Sequence, residues 1–267
     1  MTDAPAKLEH PPTVRLDKVF KSFRDGKDQV LRGVSLDFPV GKLTYILGSS
    51  GAGKSVMLKH IMGLLKPDSG EVWVAGKNMS TLEGAALATH RKVFGILFQN
   101  AALFDDMTVF ENVAFPLWEH SKMSEEAIEE KVKKTLGILG FVSGFDKYPN
   151  ELSGGMRKRV GLARAIIREP SILLYDEPTT GLDPVTRKTV DELIETLKRE
   201  LTLTSIVISH DIPSALLLAD QIAFLNKGEI VFWGTPAELR KSKHEAIQGF
   251  LEAEERAWSV FREPVKA

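Results

Sequence analysis

The stretch GSSGAGKS, residues 48–55, decides the fold of this chain. It follows the apolar run LTYIL (43–47), which predicts a buried strand, and it leads into KSVMLKHIMGLL (54–65), whose helical spacing predicts a helix up to a stop at Pro67. A glycine-rich loop between a strand and a helix N-terminus turns backbone N–H groups toward an anion. The spacing predicts a phosphate-binding loop. The alternative, a flexible turn with a surface lysine, requires a chance match on the order of one in a hundred.

The loop residues have distinct expected parts in holding a nucleotide. Lys54 is expected to reach the β- and γ-phosphates, and the hydroxyl of Ser55 is expected to bind Mg²⁺. The predicted nucleotide-binding loop consists of Gly48, Ser49, Ser50, Gly51, Ala52, Gly53, Lys54 and Ser55. By itself this motif is equally compatible with a kinase or a GTPase.

Polar side chains end three further apolar runs. Asp176 and Glu177 end ILLYDE, His210 ends IVISH, and Gln99 ends GILFQ. At the carboxyl edge of a nucleotide-binding sheet, one carboxylate can steer Mg²⁺, the other can polarise a water, and the histidine can contact phosphate. Taken singly, each acid also fits a solvated loop residue and the histidine a structural one, and Gln99 alone indicates no role.

A second glycine turn lies in ELSGGMRKRVGLARAI, residues 151–166. Ser153 can cap a helix, while Gly154 and Gly155 allow an anion to approach the helix N-terminus. The spacing fits a second anion site and an ordinary capped helix with solvated basic residues at 157–159 equally well.

Alternating strand and helix patterns, with SILLYDE and TSIVISH on either side of PVTRKTVDELIETLKREL, predict a parallel α/β sheet. TVRLDKVFKSF with QVLRGVSLDF, and QIAFLNKGEIVFWG turning at 226–228, predict two hairpins; EVWVAG and KVFGILFQ predict single strands. Residues 105–168 are predicted to be mostly helical, with an exposed pair between Glu129 and Lys133. Residues 236–262 are predicted to be helical with one apolar side, formed by Ile247, Phe250, Leu251, Trp258 and Phe261.

Bulk composition excludes several classes of function. Apolar residues make up 43% and charged residues 27% of 267 residues, as in an average folded protein. The net charge of −1 predicts no nucleic-acid partner, and the absence of cysteine excludes disulfides, thiolate zinc sites and cysteine nucleophiles. No apolar run is long enough to span a bilayer, and MTDAPAKLEHPP is expected to be a loose tail and not a signal peptide.

GSSGAGKS, Gln99, LSGGM, ILLYDEP, GLD (181–183) and His210, in this order, resemble the nucleotide-binding subunits of ABC transporters over about residues 12–235. The resemblance implies an α/β fold of the P-loop NTPase ABC-cassette type. It has a RecA-like parallel sheet core, an antiparallel β subdomain and a helical subdomain inserted at about 101–169. The implied domains are an ABC ATP-binding domain, 12–235, and a C-terminal helical extension, 236–267.

The same resemblance assigns roles around ATP and Mg²⁺ in a head-to-tail dimer, where each signature turn closes over the ATP of the other subunit. The implied catalytic residues are Glu177 as general base, His210 at the γ-phosphate, and Gln99 near the attacking water. The implied Mg²⁺ ligands are Ser55, Gln99 and, through water, Asp176. Ser153, Gly154, Gly155 and Asp183 would contact ATP from the partner subunit. Phe23 would stack on adenine, unless it is a core phenylalanine.

Within this family the chain resembles the MlaF-like ATPases of the Mla and Mce lipid-transport systems. The resemblance rests on LFQNAALFDDMTVFENVAFPLWEH (97–120) and on the methionine in LSGGM. The segment PTTGLDP, which follows the acid pair, instead resembles that of generic ABC subunits. It implies a subunit on the cytoplasmic face of the inner membrane that energises a separate permease for phospholipid transport and outer-membrane lipid asymmetry. An MCE-domain lipid-binding protein and a small STAS-domain protein are further implied partners. The apolar residues at 101–104 would line a groove for the permease, or they are simply core.

Two other functions fit the motifs. One is an ABC ATPase for another substrate or for soluble cofactor assembly. The other is a nucleotide-dependent scaffold without turnover, which the intact Lys54, Asp176, Glu177 and His210 disfavour.

Overall fold

The computed structural model describes residues 13–260, with side chains described as far as Glu252. The strands are β1 (Val14–Phe23), β2 (Asp28–Phe38), β3 (Leu43–Leu47), β4 (Ser69–Val74), β5 (Lys77–Asn78), β6 (Phe94–Leu97), β7 (Ile172–Asp176), β8 (Thr204–Ile208), β9 (Gln221–Asn226) and β10 (Glu229–Gly234). The helices are α1 (Lys54–Ile61), α2 (Gly84–His90), α3 (Val109–His120), α4 (Glu125–Ile138), α5 (Gly154–Ile166), α6 (Pro184–Glu200), α7 (Ile212–Leu218), α8 (Pro236–Lys241) and α9 (Glu245–Val260).

The central sheet confirms the predicted parallel α/β core. Its order is β10-β9-β3-β8-β7-β6, and only β10 runs antiparallel to its neighbour. All five residues of β3 are buried, which explains the uninterrupted apolar run LTYIL. Because β3, β7 and β8 are adjacent and parallel, the loops after them meet at one edge of the sheet. The predicted β9–β10 hairpin turns at residues 226–228, with Lys227 and Gly228 at φ 47° and 84°.

A second sheet, in the order β2-β1-β4-β5, is antiparallel throughout. It contains the predicted β1–β2 hairpin and the predicted strand around 71–76. An apolar cluster lies between this sheet, α1 and the central sheet, with Val14, Leu31, Ile46, Met57 and Ile208 among its buried members. This packing orients α1, and therefore the loop before it, against the strand ends.

The predicted helical stretch at 105–168 consists of α3, α4 and α5. A capping box starts α3: Glu111 N–H donates to the Thr108 hydroxyl, and the Glu111 carboxylate accepts from Thr108 N–H. The predicted ion pair between Glu129 and Lys133 is present on α4. Asn112 of α3 is buried, and its side chain binds the backbone of Phe104 at both N–H and C=O.

Two predicted boundaries are wrong. The first helix ends at Ile61 and not near Pro67, because Gly63 takes a left-handed φ of 67° that closes the helix. Gly63 N–H donates to His60 O at 2.9 Å, and Leu64 N–H donates to Lys59 O at 2.8 Å. The predicted helical stretch at 236–262 is broken into α8 and α9, because Ser242 takes an extended conformation.

The start of α9 packs on the cassette itself. Ile247 is 0% exposed, and Phe250 meets Phe224 edge-on with ring centroids 5.2 Å apart. Leu251 packs against the same core cluster. The predicted apolar positions Trp258 (side chain) and Phe261, and the predicted tail at 1–12, lie outside the described part of the chain. Among the helices within residues 13–260, none combines the length and apolar character needed to cross a bilayer.

Candidate functional site

The glycine loop wraps closely around the lysine that follows it. A Cβ on Gly48 would lie 2.2 Å from the carbonyl oxygen of Leu225, so that position accepts no side chain. Gly53, at φ 109°, turns the chain into α1. Lys54, the first residue of α1, is 7% exposed, and its Nζ donates to Gly48 O at 2.7 Å and to Ser49 O at 3.1 Å. Burial lowers the pKa of Lys54, against the opposing effect of the Glu177 carboxylate.

The two acids lie side by side at the end of β7, next to this lysine. Glu177 leaves the strand with a left-handed φ of 48°, and its N–H donates to Ile208 O at 2.9 Å. This turn brings a Glu177 carboxylate oxygen to 3.6 Å from Lys54 Nζ. Burial, followed by the neighbouring Glu177 charge, raises the pKa of Asp176. A cation placed beside Asp176 would favour its charged form.

Hydrogen bonds hold the Glu177 carboxylate in one orientation. His210 Nδ1 lies 2.9 Å from its Oε2, and the Thr180 hydroxyl donates to the same oxygen at 2.9 Å. Burial acts to raise the pKa of Glu177, but the hydrogen bonds of His210 and Thr180 outweigh it and the pKa is lowered. The hydrogen bond to Glu177 raises the pKa of His210, against burial. Sequence reasoning missed Thr180, whose signal is a hydroxyl three residues after the acid in the same turn.

Lys54, Glu177, Thr180 and His210 line one cleft of about 710 Å³; the predicted residues Gly48, Ala52 and Asp176 are not among its described lining residues. The predicted site residues that line it are Ser49, Ser50, Gly51, Gly53, Lys54, Ser55, Gln99, Glu177 and His210. Val30, Val56, Thr180 and Phe250 line it as well, and none of them was predicted. The cleft therefore brings together the phosphate loop, Glu177 of the acid turn and the histidine, with the cationic Lys54 next to the acidic Glu177.

The oxygen donors in and next to this cleft fit Mg²⁺. Ser55, Gln99 and Asp176 carry the oxygen donors that this hard cation prefers. Within residues 13–260, no cluster of three His, Asp or Glu side chains is arranged to hold a metal alone. The fit therefore requires phosphate oxygens to complete the coordination, as is usual for magnesium at nucleotide sites.

The signature turn lies outside this cleft. Ser153 is exposed and caps α5, accepting from Met156 N–H at 3.3 Å. A Cβ on Gly154 would meet no atom of the described residues within 4 Å, whereas one on Gly155 would meet the Thr186 methyl at 3.7 Å. A capped helix and an anion site are both compatible with the exposed N-terminus of α5. The expectation that the basic residues at 157–159 are solvated is wrong for Lys158, which is buried.

Asp183 and Phe23 are also outside the residues that line the cleft. Asp183 caps α6: its carboxylate accepts from Val185 N–H at 2.9 Å and from Thr186 N–H at 3.1 Å. Phe23, at the end of β1, is 37% exposed, with Lys21 Nζ 5.7 Å from its ring centroid. It is therefore a surface aromatic and not a core phenylalanine.

A parallel sheet with a glycine loop, an acid pair and a histidine at one strand edge defines a P-loop nucleotide-binding cassette. A family model described as ABC transporter matches residues 31–180, so the chain belongs to the ABC transporter family.

Relatives and a solved structure agree with this assignment. The chain is 39% identical to the intermembrane phospholipid transport system ATP-binding protein MlaF of Escherichia coli K12, over 86% of each chain. It is 38% identical to a probable ribonucleotide transport ATP-binding protein, mkl, of Mycobacterium leprae, over 86% of this chain and 66% of that protein. The dimeric post-hydrolysis structure of the ATP-binding cassette MJ0796 with ADP and Pi superposes with a TM-score of 0.74 at 33% identity, covering 84% of this chain and 98% of that one.

Proposed function

We propose that this chain binds and hydrolyses ATP as the ATP-binding subunit of a lipid transporter. The observation that carries the proposal is the cleft in which Lys54, Glu177 and His210 lie close together and which the nucleotide-binding loop also lines. Cationic and hydrogen-bonding groups that converge on one point stabilise the charge of a transferring phosphoryl group. The post-hydrolysis state of MJ0796 supports hydrolysis and not only binding.

Each residue has a separate part in this reaction. Lys54 and the loop N–H groups hold the phosphates, so that Lys54 exchanges its bonds to the Gly48 and Ser49 carbonyls for phosphate oxygens. Glu177 orients the attacking water, since its lowered pKa keeps it ionised at neutral pH. His210, held by Glu177, faces the γ-phosphate. Ser55, Gln99 and, through water, Asp176 would hold Mg²⁺, which would neutralise charge on the phosphates.

The site is completed by a second copy of the chain. Ser153, Gly154 and Gly155 are proposed to contact ATP across a head-to-tail dimer, with Asp183 next to the shared interface. The exposed, capped N-terminus of α5 suits an anion brought to it by another molecule. The dimeric state of MJ0796 supports this arrangement. The division into an ATP-binding domain at 12–235 and a C-terminal helical extension at 236–267 belongs to the same proposal.

Phospholipid is the proposed cargo because the MlaF relative is named for intermembrane phospholipid transport and is covered over 86% of its length. A separate integral membrane permease would carry the cargo, with this chain docked on its cytoplasmic side. An MCE-domain protein and a STAS-domain protein complete the proposed assembly. A second candidate is transport of another substrate, which the ribonucleotide name of the mkl relative favours.

Two experiments test the proposal. Glu177→Gln is expected to bind ATP normally and to hydrolyse it at least about 100-fold more slowly, because the carboxamide cannot accept a proton from water. Glu195→Gln, on the exposed side of α6, is the matched control. Near-normal turnover of Glu177→Gln refutes the role of this acid.

The second experiment identifies the assembly. Purification of the tagged chain from membranes is expected to recover a permease and bound phospholipid, both identified by mass spectrometry. Recovery of only soluble cofactor-assembly proteins refutes the transport function. Recovery of a permease without phospholipid, together with nucleotide-stimulated uptake of a ribonucleotide, favours the second candidate.

A further inference from the structure

The loop after Gln99 has an unfavourable backbone. Ala101 and Ala102 both take left-handed conformations, with φ of 60° and 48°. This conformation is unfavourable for a non-glycine residue, because its Cβ comes close to the following carbonyl oxygen, and here it occurs twice in succession. Ala101 N–H donates to Phe98 O at 2.9 Å, which closes a tight turn but does not repay this cost. Residues 99–102, called here the Gln99 loop, must therefore be held by contacts from elsewhere.

Arg164 of α5 supplies the first of these contacts. Its Nη2 donates to Ala102 O at 2.6 Å and to Ala101 O at 2.9 Å, so that one guanidinium binds both strained residues. Its Nη1 reaches the Asn112 side-chain oxygen at 3.3 Å, and the guanidinium lies 5.3 Å from the Phe104 ring centroid. Hydrogen bonds from a charged donor are stronger than those from a neutral donor, so these contacts offset the strain of the loop.

Lys158 supplies the second contact, to the catalytic end of the loop. Its side chain is buried, 4% exposed, and its Nζ donates to the Gln99 carbonyl oxygen. Gly161 lies between Lys158 and Arg164, and a Cβ there would come within 2.9 Å of the Ala101 methyl. The three residues are spaced three apart, so they occupy one side of α5 over successive turns.

The same helix carries the signature turn at its N-terminus. Ser153 caps α5, and Lys158 lies five residues further on. At 1.5 Å per residue the two positions are about 7.5 Å apart along the helix axis. A helix segment this short is rigid, so the position of Ser153 and the position of the Gln99 carbonyl change together.

We propose that Lys158 and Arg164 are positioning residues that hold Gln99 in a fixed relation to Ser153. Docking of the signature turn on the partner subunit's ATP then sets the position of Gln99 at the Mg²⁺ and water of this subunit's own site. The two sites of the dimer are thereby linked through one helix. The inference rests on the proposed function, because it takes Gln99 and Ser153 as parts of two ATP sites.

The test replaces the contact while keeping the volume. Lys158→Met removes the donor from the Gln99 carbonyl but retains a flexible apolar chain of similar length. It is expected to lower kcat roughly 10- to 100-fold, the cost of a catalytic group displaced by about 1 Å, with the KM for ATP changed less than about twofold. Lys158→Arg restores a cationic donor and is expected to recover most of kcat. Lys133→Met, on the exposed side of α4, is the matched control and should behave as the parent.

Two further measurements separate positioning from general destabilisation. Amide hydrogen exchange in the Gln99 loop is expected to accelerate in Lys158→Met, while exchange in β7 and β8 stays as in the parent. ATP-induced dimerisation, measured by light scattering in the Glu177→Gln background, is expected to persist, because the Ser153 turn is intact. Arg164→Lys should show the same pattern, since one ammonium cannot replace both Nη2, which binds the two alanine carbonyls, and Nη1, which binds the Asn112 oxygen.

Several results overturn the inference. They are unchanged kcat and loop exchange in Lys158→Met, failure of Lys158→Arg to recover activity, or a parallel loss of ATP binding, dimerisation and thermal stability. If the parent chain neither hydrolyses ATP nor dimerises with it, the proposed function fails instead. In that case, hydrogen exchange in the Gln99 loop of Lys158→Met still tests whether the lysine holds Gln99. Unchanged exchange would refute that role of Lys158 as well.

Discussion

Replacing Asp191 by asparagine is expected to stabilise the folded chain above about pH 6 and to leave it unchanged in acid. Asp191 lies on α6, half-buried, and its Oδ2 accepts from the Ser214 hydroxyl at 2.8 Å. Its Oδ1 is buried with no hydrogen-bond partner among the described residues. Burial, with a contribution from the charge of Asp211, raises the pKa of Asp191 to about 6 and outweighs the Ser214 hydrogen bond.

The sign and the size follow from this pKa. Between pH 3.8 and about 6 the folded chain keeps a proton that the unfolded chain has lost, so stability falls as the pH rises through this window. The full rise in pKa corresponds to about 3 kcal/mol at 1.36 kcal/mol per pH unit. Because the carboxyl is partly exposed, solvent screening reduces the expected gain of Asp191→Asn to about 1–2 kcal/mol.

The assay is urea unfolding of the parent and the variant at pH 4 and at pH 8. Asparagine keeps an oxygen that accepts from Ser214, so the difference between the two proteins isolates the buried charge. Glu192→Gln is the control, since it removes an exposed carboxylate at the adjacent position of the same helix. It is expected to change the unfolding free energy by less than about 0.5 kcal/mol at either pH. Equal stability of Asp191→Asn and the parent at pH 8, or a gain of the same size at both pH values, refutes the reasoning.

Two other expectations concern the loop and the C-terminal helix. Gly48→Ala places a Cβ 2.2 Å from Leu225 O, so we expect it to lower the unfolding free energy by about 2 kcal/mol more than Gly51→Ala. The Cβ added at Gly51 meets nothing within 4 Å in the part of the chain that the structure describes. Equal losses in chemical denaturation would contradict the close approach of the loop to β9. Ile247→Ala is expected to cost about 2–5 kcal/mol, because that side chain is 0% exposed against the core. A thermal melt indistinguishable from that of the parent would mean that α9 is not docked on its own cassette.

Much of the fold can be predicted from the sequence, because the spacing of apolar residues and the positions of turn residues agree with the observed strands and helices. The uninterrupted apolar run LTYIL predicts a buried strand, and all five residues are buried in β3. The amphipathic spacing of residues 184–200 predicts the helix that they form. The sequence does not predict the end of α1 correctly, because the helix is stopped by the positive φ of Gly63. A glycine within a helical pattern does not show from the sequence which φ it takes. The sequence also does not predict the break at Ser242, because the apolar spacing continues across the position where the chain becomes extended.

Some residues of the site can be predicted from the sequence, and others are found only in the structure. The phosphate loop, the acid pair and His210 were found because each follows an apolar strand, and parallel strands bring their ends together. Lys158 and Arg164 were not found as site residues, because they bind backbone atoms at positions that only the tertiary fold brings close. Thr180 was missed although its partner, Glu177, is only three residues away in the same turn. A lysine next to two arginines is typical of solvated surface, whereas in the structure Lys158 is enclosed by its neighbours.

The cap that Asp183 forms on α6 limits how this residue can serve an interface. Both of its carboxylate oxygens are in use: Oδ1 accepts the two backbone N–H groups, and Oδ2 accepts the Thr186 hydroxyl at 2.5 Å. Turning the side chain toward another subunit would uncap the helix at a cost of about 1 kcal/mol in each copy. A contact through the peptide backbone of residues 181–183 carries no such cost. Any closed dimer is therefore expected to meet at the main chain of this turn, with the carboxylate kept as a brace behind it.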